Sequence, residues 1–179
     1  MPNSLMPRQP VPPLEVHPLA GAPWRLAEQR PARFTLIVVY RGFHCPLCRG
    51  YLAGLAKQVE ELATLGVAVI AISSDSAARA EAAHAAWGLG NLPIGYGLEL
   101  ETARRWGLYV SSGRGATPAG VDEPERFVEP GLFLVRPDGT LYFASVQTMP
   151  FLRPDLTGLL KALDFIIKHD YPARGEAAV

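Results

Sequence analysis

The chain has 179 residues, and its 17 Lys and Arg are matched by 17 Asp and Glu. A neutral balance without a basic block lacks the electrostatic footprint of a nucleic-acid binder, and 49% apolar residues suit a chain that builds one domain-sized core. Two cysteines are too few for a secreted disulfide scaffold, and a C-x-x-C pair alone cannot close a four-thiolate zinc site.

Residues 1–23 carry seven of the 17 prolines and read as an N-terminal arm, extended or poorly ordered, with the folded domain over 24–172 and a tail over 173–179. Met1 to Pro18 holds no apolar run after a basic start, so it does not resemble a secretory signal, and no stretch approaches a membrane span. The expected location is therefore the cytosol, with no membrane and no nucleic-acid partner. Phe34 to Tyr40 is a continuous apolar, β-branched run, the pattern of a strand buried on both faces. From Pro46, the residues Leu47, Tyr51, Leu55, Val59 and Leu62 recur at helical spacing up to Gly66, which offers a left-handed helix end.

Val67 to Ser73 predicts a second buried strand, and Ser74 or Asp75 caps an alanine-rich helix that runs to about Trp87. Leu92 to Tyr96 and a helix over Glu99 to Trp106 follow, ended by Gly107. Tyr109 to Arg126 is polar and glycine-rich and reads as a long loop that docks a partner, closes over a site or is a mobile insertion. Leu132 to Arg136 and Thr140 to Val146 flank Pro137-Asp138-Gly139 as a hairpin, and Pro154 to Lys168 is an amphipathic last helix. The order β-α-β-α-β-α-β-β-α predicts α/β layers. Tyr40, Phe43, Trp87 and Trp106 are expected mainly as packing residues, and His84 as a surface residue.

The chemistry gathers in Leu36-Ile37-Val38-Val39-Tyr40-Arg41-Gly42-Phe43-His44-Cys45-Pro46-Leu47-Cys48-Arg49-Gly50. Both cysteines lie at a strand-to-helix junction, two residues apart. Thiols at that spacing close a disulfide within one turn, and the free N–H groups of a helix start favour a thiolate. His44 is either an imidazolium or proton shuttle beside the thiol or a rim histidine turned to solvent. Arg41 and Arg49 flank the pair, and one of them is expected to lower a thiol pKa by its charge. The bland alternative is two buried, inert thiols.

This constellation, with the final hairpin and helix, resembles the thioredoxin fold: a mixed central sheet flanked by helices. Over residues ~20–170 the element order is similar to the alkyl hydroperoxide reductase/thiol-specific antioxidant family, its peroxiredoxin-like branch. The residues that carry the likeness are Val39-Tyr40-Arg41 through Cys48, Ile70-Ala71-Ile72-Ser73-Ser74-Asp75, and Pro130-Gly131-Leu132-Phe133-Leu134-Val135-Arg136-Pro137-Asp138-Gly139. Laid on the family's P-x-x-x-T-x-x-C motif, Cys48 takes the peroxidatic position, Cys45 that of the threonine and Arg41 that of the proline. The family's second arginine falls on Pro130.

The dithiol-oxidoreductase likeness instead makes Cys45 the nucleophile and Cys48 the resolving thiol, with Pro130 in the place of a cis-proline facing the disulfide. Either register implies an antioxidant thiol oxidoreductase that reduces peroxides or exchanges disulfides through a Cys45–Cys48 disulfide. No flavin or nicotinamide fingerprint occurs, so no cofactor is expected and the reductant is an external thiol such as thioredoxin, glutaredoxin or glutathione. The resemblance also implies a homodimer. A second class is a non-catalytic redox sensor or interaction module switched by the same disulfide. Metal binding by Cys45, Cys48 and a histidine is a third reading, short of ligands.

Overall fold

The computed structural model describes residues 5–177. Its strands are β1 (Glu15–Pro18), β2 (Trp24–Arg25), β3 (Phe34–Val39), β4 (Val67–Ile72), β5 (Ile94–Tyr96), β6 (Val110–Ser112), β7 (Arg126–Val128), β8 (Gly131–Val135) and β9 (Leu141–Val146). Its helices are α1 (Pro46–Ala56), α2 (Val59–Thr64), α3 (Ala77–Trp87), α4 (Leu100–Arg105) and α5 (Leu156–Lys168). Seven strands form one mixed sheet in the order β2-β1-β5-β4-β3-β8-β9, and β6 and β7 form a separate hairpin.

Strand β3 is central because it is apolar on both faces, and all six of its residues are buried. It pairs in parallel with β4 and antiparallel with β8. Alternation along it divides the core. Leu36, Val38 and Tyr40 face a cluster completed by Leu52 and Leu55 of α1, Ala80, Ala83 and Trp87 of α3, and Leu156, Leu160 and Leu163 of α5. Ile37 and Val39 face the opposite cluster with Ile70, Ile72, Phe133 and Trp106. Tyr40 and Phe43 both pack on Trp87, and Trp106 on Phe133, which is the packing role expected of these aromatics. His84 is half-buried, with Nε2 at 3.1 Å from the Gly90 carbonyl.

Outside the 109–128 stretch, three elements differ from the sequence expectation. The helix expected from Pro46 to Gly66 is two helices, interrupted where the Gln58 N–H bonds back only to Leu55, a tighter turn than the α-ladder. Gly66 nonetheless closes the segment at φ +76°. Helix α3 is capped by Ser76, not Ser74 or Asp75, which frees Asp75 for another task. The folded part also starts before Trp24: β1 pairs antiparallel with β5 and β2, with Leu14 and Val16 buried. Proline-rich chain is already extended, so adding a strand at a sheet edge asks little further ordering of it. At the other end Ala173 is buried, and its carbonyl accepts a 3.0 Å hydrogen bond from Arg8. Among the described residues no helix is long and apolar enough to cross a membrane.

Candidate active site

Strand β3 delivers the chain to a turn, Tyr40 to His44, which ends on Cys45 as the N-cap of α1 with extended backbone (φ −97°, ψ 106°). The Cys45 Sγ takes the place of the usual capping oxygen and accepts the Cys48 N–H at 3.3 Å. Pro46 fills the first helical position, where a missing N–H removes no helix bond. Gly42 makes the turn possible. Its φ is +136°, and a Cβ there would lie 2.6 Å from the carboxylate of Asp75. That carboxylate is close because it accepts the Phe43 N–H at 2.7 Å.

The two sulfurs are inequivalent although both residues are buried. A hydrogen bond from the Cys48 thiol, outweighing the effect of burial and joined by the Cys48 N–H and the charges of Arg153 and Arg41, lowers the Cys45 pKa to about 6. Deeper burial and the neighbouring Cys45 push Cys48 well above the ordinary thiol range. The arrangement favours a Cys45 thiolate that receives a hydrogen bond from a Cys48 thiol.

Arg153 is the cation at the sulfurs, and it was not anticipated. Its Nη2 lies 3.1 Å from Cys48 Sγ and 3.8 Å from Cys45 Sγ. The guanidinium sits 5.2 Å from the centre of the Tyr51 ring, and the Tyr51 hydroxyl donates to the Pro154 carbonyl at 2.8 Å. Among the described residues Arg153 has no carboxylate partner. No motif or spacing links residue 153 to the redox turn; the nearest hint is Pro154, which marks the end of an irregular segment before α5.

The anticipated residues are placed differently. Arg41 is turned into a carboxylate pair, 3.3 Å from Glu123 and 3.0 Å from Glu129, with its guanidinium 4.6 Å from the Phe127 ring centre. It makes the smallest of the contributions to the Cys45 shift. Arg49 is exposed on α1 and contacts neither sulfur, because its helical position turns it outward. His44 is neither an imidazolium nor a rim residue. It is buried with its ring edge-on to Phe127, and burial, then the charges of Arg41 and Arg79, lower its pKa to about 4, so it is neutral at pH 7. The peptide before Pro130 is trans. Only Glu129 and Pro130 separate β7 from β8, so the chain passes there in an extended run where the lower-energy isomer serves.

Cys45 opens onto a cleft of about 820 Å³. Arg114 to Pro118 form one wall, Thr148 to Phe151 the other, and Arg41, Glu129 and Phe127 the floor. Leu47, Met149 and Phe151 make an exposed apolar lip. Among the described residues no three His, Cys, Asp or Glu side chains converge on a metal-sized site.

Residues 7–144 match the AhpC/TSA family. The chain belongs to that family. Its members are thiol-dependent antioxidant oxidoreductases, and the enzyme class of this chain follows. No curated protein matches the sequence significantly. The fold is that of solved peroxiredoxins: a peroxiredoxin 6 variant of Arenicola marina (16% identity, 94% of this chain and 76% of that one, TM-score 0.74) and AhpC of Enterococcus faecalis (18%, 93% and 96%, TM-score 0.70). Peroxidoxin BcpB of Mycobacterium tuberculosis is similar as well (17%, 90% and 98%, TM-score 0.69). The matched segment contains both cysteines, whereas the arginine that faces them, Arg153, lies beyond it.

Proposed function

We propose that this AhpC/TSA chain reduces peroxides through a two-cysteine cycle, with Cys45 as the nucleophile and Cys48 as the resolving thiol. The observation that carries the reading is the unequal pair: Cys45 at the helix start with its pKa lowered to about 6, Cys48 below it kept protonated, and one guanidinium across both. The Cys45 thiolate attacks the outer peroxide oxygen, the O–O bond breaks, and the leaving alkoxide or hydroxide takes a proton from solvent. The product is the Cys45 sulfenic acid. The Cys48 sulfur then attacks the Cys45 sulfur and water leaves, its oxygen from the sulfenic acid, giving the Cys45–Cys48 disulfide. One molecule of an external dithiol such as thioredoxin or glutaredoxin, or two of glutathione, returns the pair to the dithiol and leaves as the oxidised disulfide.

Arg153 supplies the charge that steadies the thiolate and the developing negative oxygen, the task expected beforehand of Arg41 or Arg49. The same thiolate exchanges disulfides, and the apolar lip suits substrates larger than hydrogen peroxide. A homodimer belongs to the same proposal and is tested by light scattering. A redox-sensor reading draws on one feature: the described contacts give Arg153 only sulfur and the Tyr51 ring, so disulfide formation removes its counter-charge.

Stopped-flow reaction of reduced protein with hydrogen peroxide, with an organic hydroperoxide and with a small disulfide tests this directly. Cys45→Ser is expected to abolish all three reactions. Cys48→Ser is expected to retain the first attack and to stop at a sulfenic acid that dimedone traps. Loss of the first attack in Cys48→Ser alone would reverse the assignment. Slow peroxide reaction with rapid Cys45-dependent disulfide exchange would make the chain a dithiol oxidoreductase instead.

A further inference from the structure

Residues between β6 and β7 wall the cleft, yet no residue from Ser112 to Arg126 is buried. A segment that buries so little apolar surface is not held by the hydrophobic effect, so polar contacts decide where it lies. One of those contacts comes from a side chain that also reaches the redox turn. Arg79 of α3 donates from Nε to Asp75 Oδ1 at 3.1 Å and from Nη2 to the Asp122 carbonyl at 3.0 Å, and Nη2 also lies 3.2 Å from His44 Nδ1. Asp75, with its side chain only 1% exposed, holds the Phe43 N–H with its other oxygen. From the segment itself, the Thr117 hydroxyl lies 2.7 Å from the His44 carbonyl, next to Cys45.

We propose that Arg79 is a positioning residue of this site: with Thr117 it latches the 113–125 segment onto the redox turn, and the latch sets how large a reagent reaches Cys45. The planar guanidinium suits this because its fixed fork meets a carboxylate, an imidazole nitrogen and a carbonyl together. A lysine ammonium on a flexible stem can hold Asp75 but cannot span the same three acceptors. The neutral state of His44 fits its place in the latch, since a ring nitrogen must be unprotonated to accept from a guanidinium. The Arg41–Glu123 pair adds a second tie, and the Arg114 N–H fastens to the same carboxylate at 2.8 Å. Together these contacts bring α3, the redox turn and the segment into one polar assembly beside the thiols.

The proposal rests on Cys45 being the nucleophile that borders the cleft, which peptide mapping of the alkylated protein checks separately from the latch. The experiment compares alkylation of reduced wild type, Arg79→Ala, Arg79→Lys and Thr117→Val by iodoacetamide and by a bulky pyrene maleimide, with hydrogen exchange read across 113–125. Losing a hydrogen bond to a charged group shifts an opening equilibrium by about tenfold. In Arg79→Ala the bulky-to-small rate ratio and the exchange of 113–125 are each expected to rise by about that factor, with Arg79→Lys between it and wild type. Thr117→Val, which acts from the segment's side and leaves α3 intact, is expected to move both readouts in the same direction. If Arg79→Ala does not fold, Thr117→Val decides by itself. An unchanged ratio and unchanged exchange in the folded variants would overturn the latch, whatever the peroxidase assay gives.

Discussion

Cys45 lies between two arginine environments that differ in one respect, the presence of carboxylates. On the hairpin side Arg41 meets Glu123 and Glu129, and Arg79 meets Asp75, so each cation is answered by fixed negative charge. On the α5 side Arg153 meets two sulfurs and an aromatic face. A paired cation holds structure together, whereas a cation without a carboxylate lends its field to whatever negative charge forms beside it. Sequence proximity to a cysteine therefore did not decide which arginine serves the thiols.

Breaking each side separately tests that contrast. Arg41→Met leaves Glu123 and Glu129 without their shared cation and with little solvent, and the expected loss is about 3 kcal/mol of stability in urea unfolding, with alkylation by the small reagent iodoacetamide little changed. A large change in thiol reactivity without loss of stability would erase the distinction. Arg153→Met removes the field at the sulfurs, so the Cys45 pKa is expected to rise from about 6, read as loss of thiolate absorbance in the ultraviolet. Unfolding by urea should change less than for Arg41→Met, because no carboxylate is left unpaired.

The smallest effect sharpens the Cys45 side of the comparison. Folding lowers its pKa from the ordinary 9.0 to about 6, so the fold favours the thiolate. The associated stabilisation is fully present above pH 9.0 and is lost as the pH falls through about 6. Alkylation should be flat above that lower value and fall about tenfold per pH unit below it. A midpoint near that of a free thiol would remove the case for an activated Cys45. His44 stays neutral across this range and contributes no charge change of its own.

Much of the architecture was legible beforehand. Phe34 to Tyr40, Val67 to Ser73 and the Asp-Gly hairpin declare themselves by local pattern, and each lies in the sheet within a residue or two. The N-terminal arm is extended as its proline content signals, but that content does not say that a sheet edge stands ready to pair with it, so the folded part starts before Trp24. The long loop remains irregular over 113–125 and is closed at its base by β6 and β7, whose Val-Ser-Ser and Arg-Phe-Val strands are too short for periodicity to reveal.

At the site the division follows chain distance. A capping cysteine, a resolving cysteine three residues on, a proline at the first helical position and a glycine to turn the chain are local requirements of one strand-to-helix junction, and residues 42–48 contain all of them. Arg153 is 105 residues from Cys48, and Arg79 is 35 from His44. Their meeting with the turn depends on where α5 and α3 pack against the sheet, which is decided by apolar burial across the whole core and leaves no mark in the spacing of charged residues. Local chain requirements put two thiols at one helix start, and long-range packing selects the charges that surround them.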